Sequence, residues 1–279
     1  MSSLRISYSF IVGKDNKTLY KKEENILSGI RALKEKDKII AILPLGSHEY
    51  HGQHLPLSTD AIIAKAFAKK LENKTCIGKK IVVLDNEDIG YSIEHGGRGG
   101  TKTLGYSQAI DRWIEIGADC YRNGIDRFLI LNAHGGNSPL MNIVITELRN
   151  RFKMLAVATS WGRFGLPEGL MTVEEKELDI HAGFIETSLM LYLAPEEVKM
   201  DKAQNFSNWQ KELKEKFKYL RAYGPFPFGW QMADINRKGV AGNALAANKE
   251  AGKAIFDHAL KGFYALLEDM FAFDVDDLS

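Results

Sequence analysis

KIIAILPL, residues 38–45, runs directly into GSHEYHGQHLPLSTD, residues 46–60. An unbroken apolar run thus stops at a glycine, and a segment crowded with histidine and carboxylate follows. A run without polar alternation is what a strand shows when both of its faces are covered, as in a parallel sheet. Three more such runs follow: KIVVL (80–84), RFLIL (127–131) and MLAVA (154–158). Between them, residues 60–71, 107–123 and 137–152 carry apolar side chains at three- and four-residue spacing, and Gly124 is placed to stop the second of these helices. The βαβα alternation predicts an α/β fold on a mostly parallel sheet.

The flanking regions are less regular. Residues 165–179 read as loop, and 202–218 as a charged amphipathic helix at the periphery. YGPFPFGW (223–230) is an aromatic loop broken by Gly and Pro. Residues 243–271 read as one long or two short closing helices. No internal repeat or low-complexity linker interrupts the chain, so 1–279 is expected to be one domain, large but within range for an α/β unit.

Composition narrows the function. Lys plus Arg number 37 against 36 Asp plus Glu, a formal net charge of +1. Nothing there favours nucleic acid or an anionic membrane, so small molecules are the expected ligands. No stretch approaches ~18 uninterrupted apolar residues, and the first residues lack the pattern of a cleaved leader. Cys76 and Cys120 have no metal-type spacing. A reduced, cytoplasmic setting is expected.

In open parallel sheets, ligands collect at the carboxyl ends of the strands. That rule selects residues 46–60, 90–104, 132–137 and 161–165. Of the seven histidines, His48, His51, His54, His95, His134 and His181 fall in loops after strands or at helix starts, and only His258 lies in an ordinary helical stretch. Glu49, His51, His54 and Asp60 share the first loop, and mixed carboxylate and imidazole donors are what Zn²⁺, Mn²⁺ or Fe²⁺ sites use. Side chains 49 and 51 point the same way in extended backbone. Asp60 has a competing explanation as a helix N-cap. In LNAHGGN (131–137), two glycines let the backbone approach a ligand beside His134, while the Lys and Ser/Thr of a phosphate-binding loop are absent. In DIHAGFIETSLMLYL (179–193), His181 and Glu186 stand at the entry to an apolar helix, where a buried carboxylate must be paired or ligate something. The alternative for Glu186 is an acid favoured in a first helical turn.

Together, GSHEYHGQHLPLSTD (46–60), GYSIEHGGRGGT (90–101), LNAHGGN (131–137) and HAGFIETS (181–188) resemble, in order and spacing, the creatininase family of metal-dependent amidohydrolases. The resemblance spans about residues 35–195. GVAGNALAA (239–247) is similar to the family's closing glycine motif, with Asn243 and Ala244 where an Asp-Pro pair is usual. The resemblance implies a three-layer α/β/α fold and two divalent ions (Zn, Mn or Fe) per chain. It implies that Asp60 bridges the ions, that Glu49 and His134 complete one site, and that His51 with a further carboxylate completes the other. Creatinine hydrolases take that carboxylate from two residues after the histidine of LNAHGGN. Here that place is Gly136, which makes Glu186 the available substitute and argues against creatinine as substrate. The resemblance further implies a homo-oligomer, a hexamer built from dimers.

Such a centre supplies a water deprotonated near neutral pH and a polarised carbonyl, with His181 as the acid/base group or substrate contact. His95, Arg98, Trp161, Arg163 and Trp230 are the candidates for substrate contact. The expected reaction opens a small polar cyclic amide or cleaves a formamide. The same chemistry on a ketone would cleave a C–C bond of a cyclic diketone such as an oxidised inositol. A metal- or sugar-binding module is the non-enzymatic alternative, although carboxylate-rich ligation among glycines suits an open site better than a closed structural one.

Overall fold

The computed structural model describes residues 8–12, 18–22, 38–72 and 79–278. Cys76 lies outside them. At the start of the chain, β1 (Tyr8–Val12) and β2 (Thr18–Lys22) pair antiparallel as a hairpin, an element the sequence reading did not contain.

The four apolar runs form one parallel sheet. Its strands are β3 (Lys38–Leu45), β4 (Lys79–Val83), β5 (Arg127–Asn132) and β6 (Leu155–Ser160), in the order β4-β3-β5-β6. All but the first residue of β3 and all of β5 are buried, as unalternating apolar strands at the centre of a covered sheet should be. β6, at the edge, is mostly half-buried. It continues to Ser160, two residues past the apolar run.

Because side chains alternate across a strand, the sheet feeds two cores. On one face Ile40, Ile42, Leu129 and Leu131 pack with α1 (Thr59–Glu72), α5 (Phe184–Leu193) and the long α8 (Lys249–Ala272). On the other, Ala41, Leu43, Phe128 and Ile130 pack with α2 (Tyr106–Arg122) and α3 (Ser138–Phe152), through Trp113, Ile116, Met141 and Leu148. The result is a three-layer α/β/α fold. Gly124 takes φ 80 after α2, which relieves the steric cost of that left-handed turn.

Two regions differ from expectation. Residues 165–179 contain a helix, α4 (Val173–Leu178), begun by a capping box in which Thr172 and Glu175 satisfy each other's backbone N–H. Within 202–218 the helix is confined to α6 (Gln210–Lys216). Residues before it form a two-residue strand, β7 (Asn205–Phe206), paired with β8 (Gly242–Asn243). Asn208 makes the break: its side chain donates to Leu178 O and accepts from Gln210 N. A short helix α7 (Met232–Ile235) follows the aromatic loop. The closing region is one helix, capped by Asn248 accepting from Ala251 N. No described helix is long and apolar enough to cross a membrane.

Candidate metal centre

Glu49 and His51 stand in the loop leaving β3, Asp60 in the first turn of α1, His134 just past β5, and His181 and Glu186 around the start of α5. One buried residue ties the loops after β3, β4 and β5 together. Asn137, fully buried, donates to Gly46 O and to Asn132 Oδ1 and accepts from Tyr91 N. Gly90 must be glycine for this, because a Cβ there would lie 2.5 Å from Asn137 Oδ1 and 2.6 Å from Gly46 O. Asn132 pins its neighbour, accepting from His134 N and donating to His134 O. The backbone of His181 pairs with Ala241 in the glycine-rich tail segment, and Ala182 takes φ 52, a conformation usually left to glycine.

The donors converge tightly. Glu49 Oε1 is 3.1 Å from His134 Nδ1, 3.4 Å from His95 Nε2 and 3.6 Å from His181 Nδ1. Asp60 lies between two imidazoles, Oδ1 3.3 Å from His51 Nε2 and Oδ2 3.4 Å from His134 Nδ1. Glu186 Oε2 is 4.0 Å from His51 Nε2 and 3.9 Å from His181 Nδ1. Each of three histidines turns its other nitrogen to a backbone carbonyl: His51 Nδ1 to Glu49 O (3.0 Å), His134 Nε2 to Tyr91 O (3.0 Å) and His181 Nε2 to Tyr50 O (2.8 Å). Donation there fixes the tautomer and leaves the inward nitrogen a lone pair, as ligating histidines require. Both oxygens of Asp60 and Nε2 of His51 are buried without a hydrogen-bond partner. Buried polar atoms left bare are costly unless something fills the space between them.

The charges around that space favour a positive group. Burial works against a charged His51, but Asp60, Glu186 and Glu49 outweigh it and lift the imidazole to about 10. His134 is likewise raised well above its ordinary value, Glu49 and Asp60 overcoming burial. Burial would raise Glu49, yet His134 and His95 hold it well below the usual carboxylate range. Burial pushes Glu186 up to about 7, against the pull of His51. The carboxylates of the cage thus favour positive charge on what they surround. His181 is the exception: burial, then the charge of His51, pull it down to about 3.

Of the other sequence candidates, Trp161 lines a cavity of about 210 Å³ beside His134, His181 and Glu186. Trp230 and His95 line a smaller adjoining one of about 40 Å³. Arg98 and Arg163 line neither, contrary to expectation. The guanidinium of Arg98 lies over the Tyr50 ring, 5.5 Å from its centroid. Arg163 is exposed on the 3-10 turn whose first residue, Trp161, faces inward. His54 stays out of the cluster, its Nε2 on Ala182 O at 3.0 Å and on Thr187 Oγ1 at 3.2 Å, and His48 sits in a backbone bridge to Lys102.

A model of the creatininase family, described as creatinine amidohydrolase, matches residues 28–267. The chain belongs to the creatininase family. Over 225 residues it is 27% identical to a mycofactocin precursor peptide peptidase of Mycolicibacterium smegmatis, covering 80% of this chain and 82% of that protein. Over 249 residues it is 24% identical to a creatinine amidohydrolase of Pseudomonas putida, covering 83% and 90%. A creatininase variant solved in a Zn–Zn form aligns with a TM-score of 0.68 at 23% identity, over 84% of this chain and 91% of that one.

Two residues of this creatininase-family hydrolase escaped the sequence reading. Glu94 puts Oε1 3.2 Å from His134 Nε2. The same atom is 2.6 Å from where a Cβ on residue 136 would be, so Gly136 leaves room for a carboxylate that arrives from another loop. Its only signal was the acid beside His95 in GYSIEHGG. The second is Tyr223, which lines both cavities.

Proposed function

We propose that this protein is a metal-dependent amidohydrolase acting on a small polar amide, with a two-ion centre on Glu49, His51, Asp60, His134 and Glu186. The observation that carries the reading is the bare, buried Asp60 carboxylate between Nε2 of His51 and Nδ1 of His134, which suits a bridging ligand. Glu49 and His134 would hold one ion with Asp60; His51 and Glu186 would hold the other. Zinc, manganese or iron in such a donor set lowers the pKa of a bound water and polarises a carbonyl.

The protein's own groups do the rest. Nε2 of His181 is committed to Tyr50 O, so its free Nδ1 starts as an acceptor. It takes a proton as the carbonyl is attacked and passes it to the leaving nitrogen. Trp161 and Trp230 give the flat apolar surface on which an amide-bearing ring or side chain rests. Gly136 in place of a carboxylate points to a substrate other than creatinine. A cyclic amide or formamide fits the small cavity. A short peptide is the second reading, favoured by the likeness to mycofactocin precursor peptide peptidases. A cytoplasmic homo-oligomer, hexameric as the family resemblance implies, completes the proposal.

Elemental analysis of the purified protein is expected to find about two divalent ions per chain, and chelation to abolish hydrolysis in a panel of lactams, formamides and dipeptides. Asp60→Asn is expected to lose both ions, because an amide bridges two cations poorly. Full activity in a metal-free preparation overturns the reading.

A further inference from the structure

We propose that Tyr223 is a catalytic residue whose phenol O–H donates to the substrate oxygen on which negative charge develops as the amide carbonyl is attacked. The inference rests on the hydrolase reading above and adds to it a group from outside the metal-ligand segments.

Tyr223 is shared by the two cavities that meet at the centre, and in the smaller it faces Glu49, His134, His181 and Glu186. No Lys or Arg lines either cavity among the described residues. An oxyanion forming there must therefore be met by neutral donors besides the ions. Most are already engaged. Trp230 Nε1 donates to Ala222 O at 2.9 Å, Ser160 Oγ accepts from Asn132, and His134 and His181 each turn one nitrogen to a backbone carbonyl. The Tyr223 hydroxyl has no hydrogen-bond partner among the described residues. A wall that served only to exclude water would need just the ring of a phenylalanine.

The loop fixes the backbone that carries this ring, although the residue itself is 45% exposed. Ala222, the residue before it, is pinned on both backbone groups: its N–H donates to Gln210 Oε1 at 2.9 Å and its carbonyl accepts from Trp230. Gln210 is itself buried. The Tyr223 ring stands edge-on to Trp230, centroids 5.2 Å apart at 69°. Beyond it Gly224 turns the chain away at φ 106, and Phe226 is 55% exposed. A donor fixed before the reaction needs no reorganisation when charge appears, which is what makes such groups effective.

The test compares zinc-loaded wild type with Tyr223→Phe, and with Phe226→Ala as a control for the same loop. Inorganic phosphate, a tetrahedral anion, is the binding probe, followed by calorimetry; zinc content and turnover of any amide the wild type hydrolyses are measured alongside. Tyr223→Phe is expected to keep its zinc and to bind phosphate about 10- to 100-fold more weakly, the loss of one hydrogen bond to a charged group. Its kcat should fall about 10²-fold with little change in KM. Phe226→Ala should match wild type throughout. Unchanged phosphate affinity in Tyr223→Phe, or loss of its zinc, overturns the assignment while leaving the hydrolase reading intact. A wild type that binds neither zinc nor phosphate removes both.

Discussion

Asp60 could have been a helix cap, and the structure shows why it is available for more: neither of its oxygens accepts a hydrogen bond, although both are buried in the first turn of α1. Glu186 is less committed, since its Oε2 also accepts from Ala182 N at 2.6 Å. A pair of variants separates the roles. Glu186→Gln is expected to cost one ion per chain, whereas His181→Ala should nearly preserve metal content and lower kcat about 10²- to 10⁴-fold, the range for removal of an acid/base group. Elemental analysis beside steady-state kinetics reads both, and Glu186→Gln with both ions and full turnover would mean that another group completes the second site. His54 gives a pH signature instead. Burial holds its imidazole below the ordinary value, so between that lowered value and about 6.5 the unfolded chain binds a proton the folded one does not. Its contribution to stability is thus present above pH 6.5 and lost progressively as pH falls below it. His54→Gln removes that titration and keeps a donor for Ala182 O, so denaturation midpoints between pH 7.5 and 5.5 should show a shallower slope than wild type.

The elements place these residues by close contact. Helix α8 crosses α5 so tightly that a Cβ on Gly252 would lie 1.8 Å from the backbone oxygen of Ser188, two residues from Glu186. Backbone cannot yield as a side chain does. Gly252→Ala is therefore expected to destabilise the fold by about 3 kcal/mol, the upper end of the overpacking range, and urea denaturation checks it; a loss below about 0.5 kcal/mol would show that the helices slide apart freely. The short elements show why sequence patterns mislead at the periphery. Residues 202–218 carry a charged, helix-like composition throughout, but Asn208 bonds to Leu178 O and Gln210 N, and side-chain competition of this kind ends a helix. In 165–179 the capping signature T-x-x-E was present at Thr172 and Glu175, with a helical turn behind it.

For the molecule as a whole, an exposed aromatic surface bears on assembly. Phe217 and Tyr219 are 44% and 58% exposed. Exposed apolar surface of this kind is characteristic of contact with a partner. Light scattering at micromolar concentration should therefore report a multiple of 31.3 kDa; a monomer would refute the homo-oligomer. The sequence by itself determined the parallel sheet and its flanking helices, because unalternating apolar strands are stable only when covered on both faces. It also singled out the donors later found together, because Glu49, His51, Asp60 and His134 fall where such a sheet presents its loops and His181 and Glu186 stand at the entry to an apolar helix. Only the tertiary structure decided which of these donors face one another and which stay apart. His54 and His48 share the first loop with His51 yet point elsewhere, and Arg98 and Arg163 turn from the cavity. Glu94 and Tyr223 enter it from segments distant along the chain. Side-chain direction in a loop is set by contacts made after the chain closes, here by Asn137 joining three loops and by the glycines that let them touch, and no local pattern of residues encodes those contacts.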